Sequence, residues 1–385
     1  MNKPLTAKVR ETVRWLHEAW VRTEGKHRFV AFSTGKDSLA LAAMLYEAVE
    51  PERSPCLYVH HDLSFPVDEY IAKLREHGFA IEILEPFLGY FELIDRGISF
   101  LTRTGAWCIP MLIGTAFLEW LQQRGARTPR GGVMFRGISG SECSRKYHSP
   151  LELYEGMGLP CFNPLLGFSK QEIFTLIRSR YGLPLNPAYQ HLDRTGCICC
   201  YTPNAATRNY SGQRFPEVCR RYYGHIERML FASGLIKASR VPMEYRTPTE
   251  QVVKHGFMHW RRTNAQDIAG AVKRRLPSGV LAYRIREAEW IATKHLEPVK
   301  GRWARREDEI RFWEVPERKA DAIIKRMINC LDCGFCLVQC FSCRRFDRTT
   351  KTLKIEECFQ CGRCLSLKFC MGWRHRFWRR VIVED

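Results

Sequence analysis

Nine cysteines fall between residues 330 and 370. Cys330, Cys333 and Cys336 are separated by two residues each, and Cys340 follows after three more. Cys358, Cys361 and Cys364 repeat the pattern, with Cys370 following after five more residues. Thiolates at this separation on a tight turn can cap one face of an iron–sulfur cube. Structural zinc is the competing reading, but zinc sites rarely repeat three cysteines at two-residue spacing. A second chemistry is written in Phe29-Val30-Ala31-Phe32-Ser33-Thr34-Gly35-Lys36-Asp37-Ser38-Leu39. An apolar run leads into a polar loop, and a helix follows from Leu39 to Val49. Such a junction aims backbone N–H groups and the positive end of a helix at the loop, and its natural guest is a phosphate. Gly35 permits close backbone approach, Ser33, Thr34 and Ser38 offer hydroxyls, and Lys36 offers charge. The spacing is not that of a Walker loop.

These residues need a scaffold, and 385 residues with 45% hydrophobic content are enough for two or three domains. No eighteen-residue apolar run spans a bilayer, and no signal core precedes a cleavage site, so a cytoplasmic protein without membrane contact is expected. In that compartment 17 cysteines read as metal or redox chemistry rather than disulfides. A net charge of +19 makes polyanionic partners, tRNA or DNA among them, an expectation. A solvated basic surface or a pocket for an anionic nucleotide would account for the same charge.

Leu5, Val9, Val13, Leu16 and Trp20 recur at helical spacing and predict an amphipathic helix over residues 5–22. Strands are expected at 56–60, 80–84 and 133–138, with helices at 67–76 and after Cys108. This alternation predicts an α/β fold, a doubly wound and mostly parallel sheet with ligands at the carboxyl ends of its strands. Residues 216–325 read as a helix-rich basic connector, with short helices over 250–262 and 268–275. The expected division is therefore 1–215, 216–325 and a small iron–sulfur domain at 326–385.

Ser33 to Ser38 resembles the PP-loop, usually Ser-Gly-Gly-x-Asp-Ser, of the adenine-nucleotide α-hydrolases and sulfonucleotide reductases, with Thr34 in place of the first glycine. The resemblance continues through His61-Asp62-Leu63-Ser64-Phe65-Pro66, Gly137 to Arg145, Asn163-Pro164-Leu165, Asn186-Pro187-Ala188-Tyr189 and Arg194-Thr195-Gly196-Cys197-Ile198-Cys199-Cys200. It covers roughly residues 25–215. It implies a nucleotide held by Ser33, Thr34, Gly35, Lys36, Asp37 and Ser38, with Asp62 or His60 nearby and with Arg145 and Arg194 neutralising phosphate or sulfate. Lys36 and Asp37 stand with these arginines as catalytic candidates.

The carboxyl-terminal run is similar to bacterial ferredoxins, in which the fourth ligand of each cluster comes from the other run. That rule implies one 4Fe-4S cluster on Cys330, Cys333, Cys336 and Cys370 and another on Cys358, Cys361, Cys364 and Cys340. Cys343 stands as a substitute ligand or a spare thiol. The reductase resemblance further implies a third 4Fe-4S cluster, or zinc, at Cys108, Cys197 and Cys200, with Cys143, Cys199 and Cys219 competing for fourth place.

Two functions follow from the resemblance. The first is reduction of adenylyl sulfate or its 3′-phosphorylated form, with electrons from a low-potential donor passing through the ferredoxin-like domain. The second is ATP-dependent sulfur transfer to nucleic acid, with Asp37 and Asp62 assisting Mg2+. The reductases usually carry a tail cysteine in Glu-Cys-Gly-Leu-His, which this chain lacks; that and the charge favour the second function, the electron module favours the first, and reduction is the expectation.

Overall fold

The computed structural model describes residues 4–50, 54–98, 107–140, 151–154, 158–200, 205–232, 268–285, 295–296, 299, 301–338, 340–356, 358 and 379–383. Its helices are α1 (Leu5–Arg22), α2 (Lys36–Ala48), α3 (Asp68–Glu76), α4 (Tyr90–Asp95), α5 (Thr115–Gln123), α6 (Lys170–Thr175), α7 (Ala205–Arg214), α8 (Pro216–Ala232) and α9 (Glu317–Asn329). Its strands are β1 (His27–Ala31), β2 (Cys56–Val59), β3 (Ile81–Leu84), β4 (Gly132–Arg136), β5 (Leu151–Tyr154), β6 (Leu159–Phe162), β7 (Ile268–Arg275), β8 (Leu281–Ile285), β9 (Arg302–Arg306), β10 (Glu309–Trp313), β11 (Arg344–Asp347), β12 (Thr352–Ile355) and β13 (Arg379–Val383). They divide into two compact units, Met1–Pro86 with Ala116–Pro216 and Phe87–Thr115 with Glu217–Asp385. No helix among the described residues is long and apolar enough to cross a membrane.

The first unit holds a sheet of order β3-β2-β1-β4-β6-β5. Every pair is parallel except β5 with β6. Strand order runs outward in opposite directions from β1 and β4, so the loops after these two strands flank a topological switch point. That is where an open α/β sheet leaves a crevice, and the Ser33–Ser38 stretch lies in it. Phe29, Val30, Val133, Met134 and Phe135 are fully buried, as a sheet covered on both faces requires. The α2 helix is buried continuously from Lys36 to Leu45, with α1 packed against it. It begins at Lys36 rather than at the expected Leu39, because Gly35 is its N-cap and Leu39 N–H already bonds Gly35 O. Lys36, Asp37 and Ser38 are therefore first-turn residues and not loop residues.

The second unit corrects the helical connector expected for residues 216–325. Helix α8 is present, but Ile268–Arg275 is a strand, and β13-β7-β8-β10-β9 form a five-stranded sheet. Alternation explains the difference: Ala271, Leu281, Tyr283, Ile285, Ile310 and Phe312 pack with Ala320, Ile323, Ile324 and Met327 of α9, while the residues between them face away. Residues 250–262, expected as a helix, lie outside the described residues. The 330–343 cysteine run follows α9, and β11 with β12 makes a short hairpin.

Candidate functional site

The loop after β1 is shaped by contacts from far along the chain. Thr34 has φ +59°, a left-handed conformation costly for a β-branched residue. The residue holds it because Asn186 Nδ2 donates to Thr34 O at 3.3 Å and to Thr34 Oγ1 at 3.2 Å. Three residues on, the Tyr189 hydroxyl accepts the Lys36 N–H at 2.9 Å. The Asn186-Pro187-Ala188-Tyr189 turn thus sets the loop conformation and meets one helix-end N–H that faces no intrahelical carbonyl. Ser38 Oγ accepts from Ser33 N–H at 3.2 Å and donates to Gly35 O at 3.0 Å.

Two glycines leave the space that this closeness requires. A Cβ on Gly35 would lie 2.8 Å from Thr195 Oγ1 and 3.2 Å from Ser33 Oγ. A Cβ on Gly137, just after β4, would lie 2.5 Å from Asp37 C and Ser38 N. The β4 end therefore touches the first turn of α2 by backbone alone.

Lys36 and Asp37 are 3% and 6% exposed, and Lys36 Nζ is paired with Asp37 Oδ2. The pair is close to neutral, so attraction for an anion here comes from helix-end N–H groups and hydroxyls more than from the lysine. Asp37 Oδ1 is buried with no hydrogen-bond partner among the described residues. Such an atom is costly unless a ligand completes it. Asp62 is exposed, as are Ser33 and Arg194. Arg145 and Cys143 lie outside the described residues.

Cys197 is stitched to the loop after β2. Ser64 and Cys197 form an antiparallel bridge, and Ile198 N–H donates to Leu63 O at 2.8 Å. His61 Nδ1 accepts from Leu63 N–H at 3.2 Å, which leaves the proton of the neutral ring on Nε2, 3.8 Å from Cys197 Sγ. Burial pulls His61 down to about 4 and, with the nearby Cys200, pushes the Cys197 thiol up to about 12 against the pull of Arg194. Cys197 and Cys200 are the half-buried thiols described in this unit; Cys108 belongs to the second unit.

In the second unit Cys330 caps α9 with extended backbone. Asp332 at φ +53° and Gly334 at φ +75° then turn the chain back, and a 3-10 turn over Phe335–Val338 carries Cys336. A Cβ on Gly334 would collide with the Phe346 ring. Arg96 spans this loop and the hairpin, donating to Leu331 O and to Lys351 O at 3.1 Å each. Its burial lowers its pKa, opposed by Glu92 and by the Cys333 and Cys330 thiols.

Cys330, Cys333 and Cys336 are half-buried, as is Cys358. Cys340 and Cys343 are 6% and 3% exposed within the apolar cluster. Cys361, Cys364 and Cys370 lie outside the described residues. Among the described residues no three His, Cys, Asp or Glu side chains gather as a metal site, neither Cys330, Cys333 and Cys336 nor the expected set of Cys108, Cys197 and Cys200.

The sequence marks the Asn186–Tyr189 turn without showing its task, and it gives little notice of Arg96 and Arg136. Arg136, 8% exposed at the end of β4, donates to Asn163 Oδ1 at 3.0 Å. An arginine closing an apolar strand was the available signal.

No family model matches the chain, and no curated protein matches it. Among solved structures it is similar to yeast FAD synthetase in complex with FAD, at 16% identity, 53% of this chain, 70% of that chain and TM-score 0.35. It is also similar to phosphoadenylyl-sulfate (PAPS) reductase from Candida auris in a phosphate complex, at 16% identity, 47% of this chain, 83% of that chain and TM-score 0.32. A third is the U34-tRNA thiolase NcsA from Methanococcus maripaludis with its 4Fe-4S cluster, at 14% identity, 66% of this chain, 89% of that chain and TM-score 0.33. Likeness at this level assigns no activity.

Proposed function

We propose that this chain is a PP-loop enzyme that activates an acceptor with ATP and transfers sulfur to nucleic acid. One observation carries the reading: the buried Asp37 Oδ1 has no partner among the described residues, beside a loop suited to phosphate. The near-neutral Lys36–Asp37 pair offers a bare sulfonucleotide no net attraction. ATP instead arrives with a divalent cation that takes carboxylate oxygens. Asp37, with Asp62, would hold Mg2+, which offsets phosphate charge when bound.

The chain's own groups divide the remaining work. The first turn of α2, Ser33 and Ser38 cradle phosphate, Gly35 leaves room for it, and Arg194 neutralises its outer oxygens. Adenylation of an acceptor oxygen releases pyrophosphate and makes that oxygen a leaving group; a sulfur nucleophile then takes its place and AMP departs. Cys197 and Cys200 are the thiols that handle this sulfur, with His61 fixing Cys197. The 330–370 cysteines would hold two 4Fe-4S clusters fed by a low-potential donor.

The cysteine run favours a second reading. Reduction of adenylyl sulfate to sulfite and an adenine nucleotide consumes two electrons and needs an electron path, which sulfur transfer by itself does not. Anaerobic binding to ATP with Mg2+, adenylyl sulfate and its 3′-phosphorylated form separates the two. Tight, Mg2+-dependent ATP binding that Asp37→Asn weakens at least tenfold supports sulfur transfer; tight Mg2+-independent sulfonucleotide binding without ATP binding overturns it.

A further inference from the structure

The five-stranded sheet of the second unit has two unlike faces. On the face toward α9, Lys273 is paired with Glu317 and with Asp321 at 3.1 Å, and Arg275 with Glu317 at 2.7 Å. Lys273 and Arg275 on that side are thus matched by acids of α9, while Arg305, opposite Ile310, donates to Glu307 O at 3.2 Å.

The other face is read from the register. Arg302 lies opposite Trp313, Ala304 opposite Arg311 and Arg306 opposite Glu309. Arg311 in turn lies opposite Ala282, and Glu309 opposite Arg284. Arg274 lies opposite Ala282. One face thus carries Arg274, Arg284, Arg302, Arg306 and Arg311, with Trp313 at the end of β10 opposite Arg302. The acids are Glu309 on the face and Glu307 and Asp308 in the β9–β10 turn. Glu309 is 6% exposed and receives Arg274 and Arg311 at 2.6 Å each. Arg284, Arg302 and Arg306 are exposed, with Arg284 only 3.8 Å from Asp308. The Arg302 guanidinium lies 5.5 Å from the Trp313 ring centroid.

We infer that this face, made by β7, β8, β10 and β9, binds a single-stranded segment of nucleic acid. The surplus of positive charge complements a phosphate backbone, and every one of the five cations is an arginine, the residue whose planar fork matches phosphate and stacks on bases. Trp313 supplies an aromatic platform on a sheet, the arrangement that holds unstacked bases. Ala282 and Ala304 keep the face flat between the arginines. The buried Glu309 orders two of the five, so the face is pre-organised rather than a loose set of solvated chains. The inference rests on the sulfur-transfer reading for the nature of the acceptor and gives that acceptor a docking surface.

Fluorescence anisotropy on the full chain, with labelled poly(U), unmodified tRNA and duplex DNA at several salt concentrations, tests it. The triple substitution R284Q/R302Q/R306Q is expected to weaken poly(U) and tRNA binding at least tenfold. It should also flatten the dependence of log K on log salt by about two, at ~0.7 per single-strand phosphate contact. The lysine triple R284K/R302K/R306K should restore that slope, which a folding defect would not allow. W313L should weaken poly(U) binding several-fold with the slope kept. Exposed arginines of α1, changed in R10Q/R14Q, should leave both unchanged.

Unchanged affinity and slope in the glutamine triple would overturn the surface while leaving ATP-dependent sulfur transfer standing. A wild-type chain that retains none of the three nucleic acids would overturn both. Retention of duplex alone would overturn the single-strand assignment, as would capture by phosphatidylglycerol vesicles through the same arginines without nucleic-acid binding.

Discussion

Asn186 Nδ2 bonds both the carbonyl and the hydroxyl of Thr34, and Thr34 stands at φ +59°. The two facts are one relationship: a strained residue is held by a side chain 152 positions away. Left-handed backbone costs a β-branched residue about 1–2 kcal/mol, and a buried hydrogen bond returns about 1 kcal/mol. Asn186→Ala is expected to destabilise the chain by about 1–2 kcal/mol, since it also leaves buried acceptors bare. In a Thr34→Gly background the same change should cost visibly less, because the strain and the hydroxyl bond are already gone. Chemical denaturation of the four variants measures the coupling. Strictly additive effects would show that Asn186 does not hold Thr34.

Gly35 should be intolerant of any side chain for a reason that can be relieved. A Cβ at this position, 2.8 Å from Thr195 Oγ1, is closer than real contacts allow, so Gly35→Ala must push Thr195 and the loop apart. Nucleotide affinity should fall at least tenfold. Thr195→Ala removes the obstructing oxygen, and G35A/T195A should recover part of the loss. Equal affinity in G35A and the double variant would place the damage elsewhere, and calorimetric titration with ATP and Mg2+ reads it.

The parallel sheet was legible because its strands are short apolar runs such as Cys56-Leu57-Tyr58-Val59, buried throughout. The loop was legible because polar residues of particular types sit together in sequence. The task of Asn186 and Tyr189 was not, since hydrogen bonds to Thr34 and Lys36 cross about 150 residues and leave no local pattern. The sheet of the second unit was hidden by its charges. In Ile268–Arg275 the positions facing α9 include Lys273 and Arg275, which reach the acids of α9 and so break the apolar alternation that marks a half-buried strand. Arg302-Trp303-Ala304-Arg305-Arg306 carries hardly any apolar signal, being an edge strand with three arginines.

Glu309 gives the second unit a pH signature. Its burial alone would raise its pKa, but the bonds from Arg311 and Arg274 hold it below the usual carboxylate value of 4.5. A carboxyl depressed on folding stabilises fully above its unfolded pKa, and that contribution disappears as pH falls through the folded value. Glu309→Gln should therefore lower stability at pH 7 and flatten its loss between pH 5 and the acid limit. Urea denaturation at pH 7, 5 and 3 follows this directly. A wild type and variant with parallel profiles would mean that Glu309 is not ionised against its arginines.

Arg96 ties the cysteine loop to the hairpin through two carbonyls, at Leu331 and Lys351, and its charge is felt by Cys333 and Cys330. If those thiols hold an iron–sulfur cluster, a fixed cation beside them stabilises the reduced, more negative state and raises the reduction potential. Arg96→Met should then lower the potential of the reconstituted protein in a titration followed by electron paramagnetic resonance. Arg96→Lys should keep the charge, and with it most of the potential, while losing the fork that spans both carbonyls. A purely structural Arg96 would behave differently, with both variants losing iron and whatever remains titrating at the wild-type potential. The direction of the shift matters as much as its existence: a rise in potential on removing the arginine would mean that the loop had rearranged, and the electrostatic role would fall.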